Sequence, residues 1–125
     1  MMKKLLYLIF PALLLTSCYE QERKCADFKT GRFRFETLIE GKKQVTELTR
    51  TDSLQTETYD GKTTTASVRW LNDCEFVLQN LDPKTTAEKE AFHMKILTTK
   101  GNTATIEYSI VGDTHKQQGT VTKLN

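Results

Sequence analysis

Beyond residue 30, apolar and polar residues alternate with a period of two, the pattern of strands that turn one face to a core. In Gly31 to Ile39, Phe33 and Phe35 stand against Arg32, Arg34 and Glu36. Lys62 to Trp70 sets Ala66, Val68 and Trp70 on one face, and Cys74 to Leu81 does the same for Phe76 and Leu78. Phe92 to Thr99 aligns Phe92, Met94 and Ile96 against His93 and Lys95, and the next run aligns Ala104, Ile106, Tyr108 and Ile110 against Thr105, Glu107 and Ser109. Reversal signals recur about every ten residues: Glu40-Gly41, Asp60-Gly61, Asn72-Asp73, Lys100-Gly101-Asn102 and Gly112-Asp113, with His115 to Leu124 closing the series. Asp60-Gly61 is the strongest of them, because a type I′ hairpin needs positive φ at both central positions. The pattern predicts an all-β fold of about eight antiparallel strands, an up-and-down barrel whose closure removes the exposed edges. A β-sandwich is the alternative. Asp82-Pro83, with Thr85 and Glu88 at capping-box spacing, predicts one short helix from about Thr86 to Ala91, suited to plugging a barrel mouth.

Two runs break the alternation. Gln44 to Arg50 and Ser53 to Tyr59 contain Thr46, Glu47, Thr49, Arg50, Gln55, Glu57 and Thr58, which leave neither face clearly apolar. Strands of this kind look onto water or onto a polar cavity, and a barrel of eight strands can hold one small ligand. Arg50, Gln55, Glu57 and Arg69 would then line the interior and hold a small polar or anionic ligand through charge-assisted bonds. The competing reading is an exposed, solvated flap carrying surface ion pairs of little energetic weight.

The first residues follow a different pattern. Lys3 and Lys4 precede an apolar run from Leu5 to Leu15, the order of a secretory signal. The run is short of the ~20 residues that span a bilayer, and Pro11 would kink a helix within it. Leu15-Thr16-Ser17-Cys18 resembles a bacterial lipobox. That likeness implies removal of residues 1–17 as a lipoprotein signal peptide and acylation of Cys18. With ~0.8 kcal/mol per buried methylene and more than one chain, attachment to the membrane would be stable. Residues 18–27 then form the lipidated cysteine and its tether, and residues 28–125 a single barrel-like domain. The absence of Asp after Cys18 implies, by likeness to other lipoproteins, the outer membrane, facing the periplasm or the cell surface.

Loss of Lys3 and Lys4 leaves sixteen basic against sixteen acidic residues. A neutral chain without a basic stripe excludes nucleic acid as a partner class. With Cys18 acylated, Cys25 and Cys74 remain, an even number in an oxidising compartment, and they predict a disulfide closing about fifty residues. They lack the CxxC spacing of a redox pair and a nearby histidine pair for zinc. His93 and His115 fall in separate strands, and no GxSxG, HExxH or phosphate-cradling loop accompanies them. Asp113 and His115 stand two apart, as metal ligands sometimes do, but a turn aspartate beside an exposed histidine accounts for them. No metal site, cofactor or catalytic set is implied. Trp70 reads as a core residue with Phe33, Phe35 and Phe76 as neighbours, in a hairpin that Cys74 ties to the first strand.

The stretches CADFKTGRFRFET, RWLNDCEF, FHMKILTTKG and YSIVGDTHKQQGT resemble a family of small Bacteroidota lipoproteins. The likeness covers nearly the whole mature chain, with Cys25, Gly31, Arg50, Trp70, Cys74 and Gly119 in matching places. It implies a lipocalin-like barrel and no established biochemical activity. Some members bear the label DNA topoisomerase IV, which a small, neutral, exported domain contradicts, lacking the size, compartment and charge to cleave DNA. The expectation is a non-enzymatic envelope lipoprotein, anchored through its N-terminal lipid, that binds a small polar ligand or an envelope protein. The alternatives are a structural or interaction module without a cavity, and an envelope enzyme using Glu57 with Arg50 or His93.

Overall fold

Asp60 and Gly61 take φ of 52° and 78°, and Glu40 and Gly41 take 53° and 79°, the paired positive values of a type I′ reversal. These tight turns bring successive strands side by side. A computed structural model describes residues 23–125. Residues 1–17, Cys18 and the tether up to residue 22 lie outside the described residues.

The strands are β1 (Gly31–Ile39), β2 (Lys42–Arg50), β3 (Leu54–Tyr59), β4 (Lys62–Asn72), β5 (Glu75–Asn80), β6 (Phe92–Lys100), β7 (Thr103–Ile110) and β8 (Gln117–Lys123). Each pairs antiparallel with the next, and β8 returns to β1 through Phe33↔Lys123 to Glu36↔Thr120. The fold is a closed eight-strand barrel, not a sandwich. Its apolar alternation points inward: Phe33, Leu48, Ile96, Ala104, Ile106 and Val121 form one buried cluster, and Val68, Phe76 and Leu78 a second.

One end of the barrel is a floor. There a 3-10 turn, Cys25–Phe28, lies across the opening with Cys25 and Phe28 buried, and the Phe28 ring stacks on Phe33 at 6.1 Å. Among the described residues, a disulfide and three hydrogen bonds fasten it. Cys25 is bonded to Cys74, and the Lys24 amide donates to Thr99 Oγ1 at 2.8 Å. Lys123 Nζ donates to the Asp27 carbonyl at 2.7 Å, and Arg50 Nη1 to the Phe28 carbonyl at 2.6 Å. The tether expected over 18–27 therefore gives way at Cys25 to a segment that belongs to the core. Cysteine and phenylalanine three apart can both turn inward on a single tight turn, which explains why so short a segment closes the floor.

The plug is thus not the helix expected from about Thr86 to Ala91. That segment forms one 3-10 turn, Ala87–Lys89, with no buried residue. Thr85 Oγ1 does accept from the Glu88 amide at 3.1 Å, but Glu88 Oε1 reaches back to the Lys84 amide at 2.7 Å. The side chains cap a turn that has no apolar face to bury, and a helix nucleus without packing does not propagate.

Two irregularities shift the pairing, between Trp70 and Asn72 and between Ile96 and Thr98. The second changes parity, so Thr99 rather than Thr98 faces inward beside Ala104. Trp70 is half-buried in the second cluster, 4.5 Å from the Phe76 ring, with Lys29 Nζ 4.9 Å over its own ring. Phe33 and Phe35 belong to the other cluster. At Gly119 a Cβ would sit 2.6 Å from the Phe35 ring and 2.8 Å from the Glu36 carbonyl oxygen. The ring could yield but the β1 backbone could not. Gly119→Ala is expected to cost about 3 kcal/mol, measured as a lower urea midpoint at an unchanged m-value.

Candidate functional site

Above the plugged floor the barrel encloses a cavity of ≈ 210 Å³. Most of its wall is apolar: Phe35, Leu78, Phe92, Met94 and Tyr108 face it. The Phe35 and Tyr108 rings meet edge to face at 5.5 Å, and the Tyr108 hydroxyl shares a 2.9 Å hydrogen bond with the Thr37 hydroxyl.

The polar residues collect on the wall built by β2 and β3. Alternation along β2 turns Gln44, Thr46, Leu48 and Arg50 inward, with burial deepening toward Arg50. Register places Arg50 opposite Gln55 and Leu48 opposite Glu57. The two strands without an apolar face are therefore no solvated flap, because their inward polar residues form a hydrogen-bonded ladder. Arg50 Nε donates to Gln55 Oε1 at 2.8 Å, and Gln55 Nε2 donates to Glu57 Oε2 at 2.7 Å. Arg50 is 5% exposed and Gln55 3%, so both depend on these bonds for their polar atoms. The guanidinium lies 5.0 Å from the Phe33 ring and 4.6 Å from the Phe76 ring. Burial pushes its pKa down to about 10, with the Glu57 carboxylate opposing the shift, so it stays charged near neutrality. Higher on the same wall the Tyr59 hydroxyl donates to Gln44 Oε1.

Arg69 is not part of this wall. It lies between Val68 and Trp70, both inward, and is itself exposed on the outer surface. Period two along β4 requires this, since neighbours of an inward residue point out. The cavity is also less polar than the expected one, with its charged groups confined to one wall.

The histidines stand outside the cavity. His93 Nε2 is 2.8 Å from Glu75 Oε1 on the outer face of β5 and β6. Asn72 Nδ2 donates to Glu75 Oε2 at 3.2 Å. The Asn72 bond first, then the His93 bond, hold the Glu75 carboxyl below its ordinary value of 4.5. A depressed carboxyl contributes stability above its unfolded pKa, and that stability is lost as pH falls through the lower folded value. The urea midpoint of the parent protein is expected to fall further between about pH 5 and pH 3 than that of Glu75→Gln. Asp113 Oδ1 accepts from the His115 backbone amide at 3.0 Å, an ordinary turn contact.

Two contributors were hidden from sequence reasoning. Phe28 forms the floor from a segment without strand alternation, and Thr99 reaches the interior through the bulge. Around the opposite end, the mouth, exposed apolar side chains gather: Leu38, Ile39, Tyr59, Leu81, Phe92 and Val111 lie at strand ends or in the connections there.

Comparison of the chain with protein-family models, with curated proteins and with solved structures finds no match in any of the three.

Proposed function

We propose that this protein is a lipid-anchored envelope protein that binds, without catalysis, one small and largely apolar molecule inside its barrel. The cavity carries the reading: ≈ 210 Å³, floored by Phe28, walled by aromatic and aliphatic side chains, with its charged groups converging on one wall. A cavity of about 150 Å³ lined by such side chains accommodates benzene. The space here suits a ligand on the order of ten non-hydrogen atoms. The apolar collar at the mouth supports passage of such a molecule, since grouped exposed apolar side chains mark contact surfaces.

Attachment through Cys18 rests on the lipobox and the preceding signal pattern, and its place in the outer membrane on the absence of Asp after Cys18. The described chain enters at the floor, where Lys24 meets Thr99. Six residues from Tyr19 to Lys24 extend at most about 20 Å.

Titration with toluene, followed by methyl NMR, tests the binding reading. The methyl signals of Leu48, Met94 and Ile96 are expected to shift together and saturably. Met94→Trp, which fills the cavity, is expected to abolish the shifts while the barrel stays folded. Unmoved methyls at saturating toluene would refute it.

A further inference from the structure

The polar wall specifies the head group of the ligand, an inference that rests on the binding reading above. Arg50 commits Nε to Gln55 and Nη1 to Phe28, and Glu57 commits Oε2 to Gln55. No described residue hydrogen-bonds Arg50 Nη2 or Glu57 Oε1. Yet among the described residues no buried side-chain nitrogen or oxygen lacks a partner. Nη2 therefore touches open space, and Arg50 and Glu57 both line the cavity. One wall thus presents a donor near the floor, on Arg50 opposite Gln55, and an acceptor two residues farther along β3, on Glu57.

Charge narrows the head group further. The cavity holds one guanidinium and one carboxylate, bridged by Gln55, so its side chains are together neutral. An anionic head drawn to Arg50 would also meet Glu57 where water is scarce and charges interact strongly. An ammonium head drawn to Glu57 would meet Arg50 in the same way. A neutral head with an acceptor and a donor on one carbon, as in a primary amide, satisfies both free positions without repulsion, as the Gln55 amide does for Arg50 Nε and Glu57 Oε2.

We infer that the barrel takes a neutral, single-chain amphiphile, its amide-like head bridging Arg50 Nη2 and Glu57 Oε1 and its apolar chain running past Leu78, Met94 and Phe35 toward Phe92 at the mouth. The head lies deep and the tail points out. The collar of Ile39, Tyr59 and Val111 meets whatever length of chain the cavity does not enclose.

Three probes of equal length test this: octanamide, octanoate and octylammonium, titrated calorimetrically at pH 7 into residues 18–125 bearing Cys18→Ser and exported behind a cleavable leader. Octanamide is expected to bind at least ten-fold more tightly than either charged probe. Glu57→Gln keeps an acceptor for Gln55 but leaves Arg50 as the cavity's one charge. That variant is expected to reverse the order, so that octanoate binds at least ten-fold more tightly than octanamide. Its melting curve verifies that it is folded. Equal affinities for the three probes, or an order that Glu57→Gln does not change, would overturn the head-group assignment while toluene binding left the cavity reading standing. If neither toluene nor any octyl probe bound, both would fall together.

Discussion

Replacing Cys25 and Cys74 together by serine is expected to destabilise the barrel by about 4 kcal/mol. The two cysteines are 49 positions apart, and cross-linking a loop of that length removes much of the freedom of the unfolded chain. The native state loses something too. Cys25 begins the 3-10 turn that carries Phe28 under the barrel, so the bridge holds the floor as well as shortening the unfolded chain. Without it, the plug keeps the Lys24–Thr99, Lys123–Asp27 and Arg50–Phe28 hydrogen bonds. Three hydrogen bonds, only one of them from a buried charged donor, oppose the freedom that a released terminus regains. For a domain of this size, 4 kcal/mol lowers Tm by roughly 15 to 30 °C, a large share of a typical stability of about 5 to 15 kcal/mol. Denaturant melts of the parent and the double variant, compared with the parent under reductant, measure the effect. A loss below about 1 kcal/mol would mean that the floor is held by its packing and not by the bridge.

What could be read from the residue order follows from which forces are local. Strand identity and inward faces were legible wherever large apolar residues alternated with charge, as in Phe33-Arg34-Phe35 or Ile106-Glu107-Tyr108, because a barrel interior admits one face of each strand. Type I′ reversals were legible because Asp60-Gly61 must adopt positive φ to close. The polar strands were ambiguous for a physical reason: threonine, glutamine and arginine fit solvent and a hydrogen-bonded interior equally well, and only pairing with β3 shows where they point. Composition points Arg69 inward, but parity with Val68 and Trp70 turns it out. Phe28 and Thr99 depended on long-range events, a disulfide that pulls a turn beneath the barrel and a bulge that changes parity. Neither leaves a periodic trace. The capping residues around Thr85 and Glu88 were real, but capping is a local interaction, and without an apolar face it ends in a single turn.

Arg50→Met is expected to cost about 3 kcal/mol, and Arg50→Lys about half as much, because bonds and burial oppose each other at this residue. Burying a guanidinium is unfavourable by itself, which is why its pKa falls to about 10. Against that stand two hydrogen bonds from a charged donor, about 1.5 to 3 kcal/mol each, and the faces of Phe33 and Phe76, with the Glu57 carboxylate nearby. Methionine has a comparable unbranched stem and fills the space between the rings. It leaves the Phe28 carbonyl and Gln55 Oε1 without their donor, each an unsatisfied buried acceptor worth about 1 to 3 kcal/mol. The relief of removing a buried charge recovers part of that. Lysine keeps the charge but has no planar fork to reach Gln55 and Phe28 at once, so one acceptor stays unmet. Urea midpoints of the three proteins give the comparison, and a cycle with Glu57→Gln isolates the coupling along the wall, expected within about 0.5 to 3 kcal/mol. Should Arg50→Met melt with the parent, burial and bonding would cancel. The guanidinium would then contribute nothing net to closing the floor, and its worth to the protein would lie in the donor it turns toward the cavity.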